Sequence, residues 1–337
     1  MRSLLVTGGA GFIGSNFVRM VLDEHADTKV VNYDSLTYAG NLENLKGYMD
    51  NPRHVFVKGD ICDAALVKQT VEEHNIDAIV HFAAESHVDR SLVEPGVFIE
   101  TNVQGTLTLL KVALEKQMER FVQVSTDEVY GSLGTEGFFT ESTPLSPNSP
   151  YSASKAAADM LVQAYGHSWG LRYNITRCSN NYGQYQFPEK MIPLMINNAL
   201  NDKELPVYGD GLYVRDWLYV YDHCTAVWKV LTEAQPGTVY NIGGNNEKTN
   251  LEVVGLILER LGKPASLIRH VKDRPGHDRR YAIDSSKMMS ELGWRPSVTF
   301  EEGIRQTIDW YLSNGDWLKH VVSGQYQSYY EKMYDGR

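Results

Sequence analysis

The chain has 337 residues, 42% hydrophobic and 22% charged, which suits a globular protein with one large domain or two unequal ones. Its formal net charge of −10 argues against a general nucleic-acid surface, and no apolar run approaches the roughly 18 residues of a membrane span. Cys62, Cys178 and Cys224 show neither metal spacing nor a disulfide framework, and the Leu4-Leu5-Val6 run is too short for a signal peptide, so a reducing, cytoplasmic setting is expected.

Strand and helix patterns alternate through the first half. Ser3–Thr7 reads as a strand, Ile13–Leu22 as a helix, and Lys29–Tyr33 and His54–Lys58 as further strands. Ala64–His74 is a helical pattern, Ala78–Phe82 a strand, Asn102–Lys116 a long amphipathic helix and Phe121–Val124 a strand. Ser149 and Pro150 stand where an N-cap and first helical residue belong, so a helix is expected from Tyr151 to about Trp169, with a strand following at Tyr173–Thr176. Strands separated by helices imply right-handed crossovers and a doubly wound parallel α/β sheet of Rossmann type.

The second half predicts helices at Glu189–Leu200, Asp222–Ala234, Asn250–Leu261 and Phe300–Leu312, the last with a capping box at Thr299-x-x-Glu302. Short strands are expected at Leu205–Tyr208, Val239–Ile242 and Leu267–His270. The expected organisation is a dinucleotide-binding domain from residues 1–185 and 222–245, with a smaller C-terminal α/β substrate lobe from 186–221 and 246–337. A ligand would lie between them, at the carboxyl ends of the parallel strands.

Gly8-Gly-Ala-Gly11-Phe12-Ile13-Gly14 follows the first strand and opens the first helix. The first glycine allows the tight turn, the second lets backbone approach a pyrophosphate, and the third lets helix pack on strand. Asp34 closes the second strand about 20 residues on, where a carboxylate suits the ribose hydroxyls of NAD and repels the 2′-phosphate of NADP. Ser35, Leu36 and Thr37 continue that edge, and Asp60-Ile61 stands where an adenine contact falls.

Asp127-Glu128 follows the Phe121–Val124 strand through Ser125-Thr126. Tyr151 and Lys155 are four apart and share one helix face, where a fixed ammonium would favour the phenolate of the tyrosine. One site would then hold a hydrogen-bond donor, an acid and a base.

The glycine spacing together with Tyr151-x-x-x-Lys155 resembles the extended short-chain dehydrogenase/reductases. Within that superfamily, His81-Phe-Ala-Ala-Glu-Ser-His-Val-Asp-Arg-Ser91, Ser125-Thr-Asp-Glu-Val-Tyr-Gly131, Pro188-Glu-Lys-Met-Ile-Pro193, Tyr208-Gly-Asp-Gly211, Val214-Arg-Asp-Trp217 and Asp273-Arg-Pro-Gly-His277 resemble the dTDP-glucose 4,6-dehydratase family. The similarity spans roughly residues 1–310. Gln184 departs from the proline usual in the family, a matter of loop stiffness.

The resemblance implies conversion of dTDP-glucose to dTDP-4-keto-6-deoxyglucose, with NAD used and regenerated in each turnover. It casts Tyr151 as base for the 4-hydroxyl, Lys155 as its partner and holder of the nicotinamide ribose, and Thr126 as donor to the oxygen on carbon 4. Glu128 is cast as base at carbon 5, and Asp127 as acid for the leaving hydroxyl. Phe82, Ala83, Ala84, Ser86, Thr101 and Asn181 would line the cofactor. Ser86, Thr126, Asn180, Glu189, Lys190, Pro206, Val207, Tyr208, Asn250, Asp273 and the cations Arg215, Arg274 and His277 would hold the sugar nucleotide.

Blander readings stand beside these. Ser86, Asn180 and Asn181 suit turns, Glu189 and Lys190 suit a helix start, and the arginines and His277 suit surface ion pairs with Asp216, Asp273 or Asp278. No metal pattern is present. Apolar residues beyond one face of two helices (Leu107, Leu110 and Leu114, then Met160, Leu161 and Tyr165) and the family's habit predict a homodimer through a helix bundle. A dehydratase for another nucleotide sugar, a 4-epimerase and a non-catalytic NAD-binding protein remain as alternatives, the epimerase disfavoured by Asp127-Glu128.

Overall fold

The computed structural model describes residues 2–273 and 276–322. The first half runs β1 (Ser3–Thr7), α1 (Phe12–Glu24), β2 (Lys29–Asp34), β3 (His54–Lys58), α2 (Ala64–Glu73), β4 (Ala78–His81), two short helices α3 (Val88–Val93) and α4 (Pro95–Phe98), α5 (Thr106–Glu115), β5 (Arg120–Thr126), α6 (Pro150–Trp169) and β6 (Tyr173–Cys178). The second half runs β7 (Asn180–Tyr182), α7 (Met191–Leu200), β8 (Leu205–Tyr208), β9 (Val214–Tyr219), α8 (Val220–Glu233), β10 (Thr238–Ile242), β11 (Glu247–Thr249), α9 (Asn250–Leu261), β12 (Ile268–Val271), α10 (Ser286–Leu292), α11 (Phe300–Ser313) and α12 (Gly315–Val321).

Seven strands form one parallel sheet in the order β10-β6-β5-β4-β1-β2-β3. The chain order reverses between β1 and β4, and that switch point opens the crevice where α/β folds bind ligands. Both faces are covered, which is why the strands read as apolar runs without alternation. On β1, Leu4 and Val6 enter a core shared with α1 and α8, while Leu5 enters the opposite core shared with α2, α5 and α6. A third core, around Tyr182, Trp217, Ile257, Phe300 and Tyr311, joins α7, α9 and α11 beside the small sheets β11-β9-β7 and β12-β8.

Helix α6 starts as its sequence dictates. Ser149 and Ser152 form a reciprocal capping box, Pro150 occupies the first turn, and Gly170 ends the helix in the left-handed region at φ 72°. Thr249 and Glu252 likewise form a box on α9. At α11, Thr299 accepts from the Glu302 amide. The expected 102–116 helix is divided, because a π-helical stretch over Ile99–Gly105 precedes α5. The expected 189–200 helix begins only at Met191, with Lys190 in extended backbone as its N-cap. The strand expected at 267–270 lies one residue later. The strands β7, β9 and β11 carry no sequence signal, since two are three residues long and β9 is too polar and aromatic to show a period.

Candidate active site

The phosphate loop is built from close approaches. Gly8 has φ 71°, and a Cβ there would meet the Ala83 amide nitrogen at 2.6 Å; one on Gly14 would meet the Gly8 carbonyl oxygen at 2.2 Å. Asp34 fastens this loop from below. Its two carboxylate oxygens accept from the Ala10 amide at 2.9 Å and the Leu36 amide at 2.8 Å. Burial pushes the Asp34 carboxyl up, and the two amides oppose that push. Asp60 accepts from the Cys62 amide at 2.8 Å, and its carbonyl accepts from the Tyr33 hydroxyl.

A cavity of about 320 Å³ runs from this loop across the ends of β1, β4 and β5 to α6. Of the expected cofactor residues, Gly8, Gly11, Phe12, Ile13, Gly14, Asp34, Ser35, Thr37, Asp60, Ile61, Phe82, Ala83, Ala84, Ser86, Thr101, Tyr151, Lys155 and Asn181 all line it. Leu36 is not among the lining residues; it takes a positive φ of 55° that turns the chain beside Asp34.

At the far end, β5 finishes at Thr126, whose hydroxyl caps the short 3-10 turn Asp127–Tyr130 by accepting from the Glu128 amide at 3.3 Å. That cap fixes the acid pair at the strand end. Asp127 is 2% exposed, and its Oδ2 has no hydrogen-bond partner among the described residues. Burial, then the charge of Glu128, then that of Asp216 hold the Asp127 carboxyl well above the usual carboxylate range. Asp216 is itself fixed at the end of β9's pairing with β11, accepting from the Gly244 amide at 3.0 Å and the Asn246 amide at 2.7 Å.

Tyr151 and Lys155 are buried on α6 and face the same cavity. The Lys155 ammonium donates to the Val124 carbonyl at 2.8 Å. Burial and the Glu128 charge push the Tyr151 hydroxyl well above its ordinary value, so the lysine alone does not give the low tyrosine pKa that the spacing suggests. The reason is that desolvation of a phenolate costs more than one neighbouring cation returns, and Lys155 is pushed down by its own burial.

Of the expected sugar-nucleotide contacts, Ser86, Thr126, Asn180, Glu189 and Lys190 line the cavity. Glu189 accepts from the Tyr38 hydroxyl at 2.9 Å, and Lys190 donates to the Ser86 carbonyl at 2.7 Å. Asn181 lies on β7 with its amide oxygen 2.9 Å from His223 Nδ1, and the buried Asn180 amide oxygen has no partner among the described residues. Pro206, Val207, Tyr208, Arg215, Asn250, Asp273 and His277 lie outside that lining. Val207 points into the third core, and the Tyr208 hydroxyl donates to Asp89 at 2.9 Å. Asn250 opens α9, with Thr249 as its cap. His277 stacks on Tyr213 at 3.8 Å and pairs through Nδ1 with Asp273 at 2.7 Å, the ion-pair alternative raised by the sequence. Arg215 is buried, donates to the Val214 and Asp278 carbonyls, stacks 4.5 Å over Tyr281 and draws the Asp127 carboxyl down. Arg274 lies outside the described residues. Glu85, inside the 82–86 stretch expected along the cofactor, also lines the cavity, as do Gln186 and Phe187, which carry no sequence signal. Among the described residues no group of three His, Cys, Asp or Glu is placed to hold a metal ion, and no helix is long and apolar enough to cross a membrane.

A glycine cradle held by a strand-end carboxylate, facing a buried Tyr-Lys pair across one cavity, defines an extended short-chain dehydrogenase/reductase. Residues 5–307 match the family described as GDP-mannose 4,6 dehydratase. A dTDP-glucose 4,6-dehydratase of Xanthomonas campestris pv. campestris (strain B100) is 55% identical, with 97% of this chain and 98% of that protein covered. The crystal structure of dTDP-glucose 4,6-dehydratase from Bacillus anthracis in complex with NAD shares 53% identity, covers 95% of this chain and 100% of that one, and superposes with a TM-score of 0.90. A Streptomyces venezuelae dTDP-glucose 4,6-dehydratase with NAD bound shares 52% identity over 95% of this chain and 99% of that one, at a TM-score of 0.92. The chain belongs to the dTDP-glucose 4,6-dehydratase family.

Proposed function

We propose that the protein converts dTDP-glucose to dTDP-4-keto-6-deoxyglucose and water, using NAD held in the glycine cradle. The observation that carries this reading is the buried Asp127, its carboxyl pushed well above the usual range by burial and by the Glu128 charge, beside Glu128 at the end of the cavity that Tyr151 faces. An epimerisation needs no such acid, whereas expulsion of hydroxide does.

The chemistry assigns each group. Hydroxide is a poor leaving group at carbon 6, and the proton on carbon 5 is not acidic until carbon 4 is a ketone. Tyr151, as phenolate, takes the 4-hydroxyl proton as carbon 4 is oxidised, with Lys155 stabilising the anion and Thr126 donating to the oxygen. Glu128 then removes the carbon 5 proton, and Asp127 gives its proton to the departing 6-hydroxyl. Bound NAD⁺ supplies the hydride acceptor for carbon 4, a positive ring that favours the phenolate, and, once reduced, the donor for carbon 6. Phe82, Ala83, Ala84, Thr101 and Asn181 pack the cofactor. Ser86, Asn180, Glu189 and Lys190 hold the hexose end, while Arg215, Arg274 and His277, with Tyr208, Asn250 and Asp273, serve the nucleotide diphosphate from the smaller lobe. In this reading residues 1–185 and 222–245 form the cofactor domain and the remainder the substrate lobe.

Incubating dTDP-glucose with the pure protein in heavy water tests the proposal. Loss of one water, a deuteron at carbon 5 and no net reduced cofactor support it. Unchanged dTDP-glucose with turnover of another nucleotide sugar moves the substrate, and galactose formed without water loss overturns the dehydratase reading. Gly14→Ala is expected to weaken NAD binding at least about tenfold by calorimetry, because the added methyl forces the phosphate loop away from the helix end.

The same reading includes a homodimer and a reducing, cytoplasmic setting, the latter consistent with three free cysteines. Of the six apolar helix residues considered from sequence, Leu110 and Tyr165 are buried and Leu107, Leu114 and Leu161 are half-buried against the core, so Met160 alone is exposed. The apolar surface is carried instead by Leu92, Val97 and Ile99 with Met160 and Trp169, on and beside helices that pack against α6. The double variant Met160→Asp/Trp169→Asp is expected to scatter light as a monomer at micromolar concentration; a wild-type monomer counts against the dimer.

A further inference from the structure

Beneath the Tyr-Lys pair lies a charged layer that the reaction as written does not use. Asp159 follows Lys155 by four residues, so Tyr151, Lys155 and Asp159 rise along one face of α6. The Asp159 carboxylate accepts from Arg177 Nε at 2.9 Å, with side chains 0% and 3% exposed. Arg177 comes from β6, one residue before the cavity-lining Cys178. It also donates to the Tyr130 hydroxyl at 3.0 Å, which in turn donates to Asn241 Oδ1 on β10 at 2.8 Å. Four segments, α6, β6, β10 and the 3-10 turn Asp127–Tyr130, are therefore tied to one point behind the lysine.

A buried ion pair is a costly way to hold elements together, since apolar side chains of similar volume do as well or better. Its presence here calls for a use of the charge itself. We propose that Asp159, clamped by Arg177, is a positioning residue for catalysis: it supplies the counter-charge that keeps the Lys155 ammonium in place beside Tyr151. This inference rests on the dehydratase reading for its catalytic meaning.

The groups around the lysine support it. Burial pushes Lys155 down, and the first group that opposes the push is Asp159, followed by Cys178. From β4, His81 is buried, bridges Thr7 and Thr106, and is held neutral with its pKa lowered to about 3, partly by the charge of Lys155. The Cys178 thiol is pushed up to about 12 and the Tyr130 hydroxyl to about 12, so neither supplies an anion near neutral pH. On the α6 side the Tyr151 hydroxyl is pushed well above its ordinary value, and the Asp127 carboxyl above it is pushed well up by burial and the Glu128 charge. Glu128, whose charge acts on Tyr151, is the other carboxylate in reach of the pair, and it acts from the substrate side. Burial pushes the Asp159 carboxyl up, and the charge and hydrogen bond of Arg177, then the charge of Lys155, draw it back down, so the Arg177 clamp makes Asp159 the anion on the protein side. Arg177 fixes the orientation of Asp159 and keeps it ionised against its burial, so loss of either partner weakens the counter-charge at Lys155.

Protein carrying ¹³C at the lysine ε-carbons reports the Lys155 charge directly by NMR, with the resonance assigned by Lys155→Met. Asp159→Asn is expected to lower the Lys155 titration midpoint by about one pH unit or more, and Arg177→Gln, which leaves the buried Asp159 free to take a proton, to lower it by less. The double variant Asp159→Asn/Arg177→Gln replaces the ion pair by a neutral amide pair and is expected to lower the midpoint about as far as Asp159→Asn. It serves if either single variant fails to fold. The rate of carbon 5 deuterium exchange on dTDP-glucose should fall about tenfold in Asp159→Asn. An unmoved or raised midpoint in Asp159→Asn, or a raised midpoint in Arg177→Gln, overturns the proposal and leaves the pair as structural. Because the titration needs no substrate, shifted midpoints in a protein that leaves dTDP-glucose unchanged would refute the dehydratase reading and not this one.

Discussion

Tyr151→Phe is expected to lower turnover of dTDP-glucose by about 100- to 10,000-fold, the range a single general base commands, while NAD affinity changes little. The phenyl ring fills the same buried place on α6, 8% exposed and edge-on to Phe98 at 6.3 Å, so the fold is kept and only the proton acceptor is lost. Rapid-quench analysis of product, beside calorimetric NAD titration, checks both halves. A variant with wild-type turnover would move the base elsewhere on the cavity wall. Because Tyr151 is held above its ordinary pKa by burial and Glu128, the wild-type rate should rise with pH on its acid limb. The phenylalanine variant should lose that limb from whatever activity remains.

Glu128→Gln and Asp127→Asn should both stop water loss by a similar factor and yet differ in one measurement. Without Glu128 the carbon 5 proton is never removed, so no deuterium enters from heavy water. Without the acidic proton of Asp127 removal and return at carbon 5 can continue, so deuterium enters while the 6-hydroxyl stays. Mass and proton spectra of recovered dTDP-glucose separate the two outcomes. Deuterium entry in Glu128→Gln, or its absence in Asp127→Asn, would reverse or dissolve the assignment. The stability effect of Asp127→Asn follows from the same burial. A carboxyl with a folded pKa above its unfolded one contributes stability fully below the unfolded value, about 4, and loses it as pH rises through the folded value. Removing the titrating group should therefore flatten the dependence of Tm on pH above about 4, which scanning calorimetry across that range reads directly.

Much of the site is legible in the sequence where its chemistry is local. The glycine loop declares its close approaches by spacing alone, since no side chain fits at Gly8 or Gly14. Ser149, Pro150 and Gly170 bracket α6 because caps act within one turn. Tyr151 and Lys155 share a face because four residues span little more than one helical turn. The strand Val239–Ile242 is likewise legible, and it enters the large sheet beside β6.

What the sequence leaves open depends on contacts between distant segments. Asp127 is an ordinary acidic residue by type. Its carboxyl is pushed well above the usual range only when β5 buries it beside Glu128 and β9 brings Asp216 close. Lys155 reads as the partner that lowers the tyrosine pKa, but burial of both groups sets the direction. The Asp159–Arg177 pair joins residues 18 apart on a helix and a strand, and nothing in either segment marks the other. Sequence by itself determined the fold class, the dinucleotide loop and the identity of the reacting side chains, because backbone geometry and side-chain type are local properties. Tertiary structure alone decided which of those groups hold protons and which ions face them, because desolvation and Coulomb energy depend on everything packed around a charge.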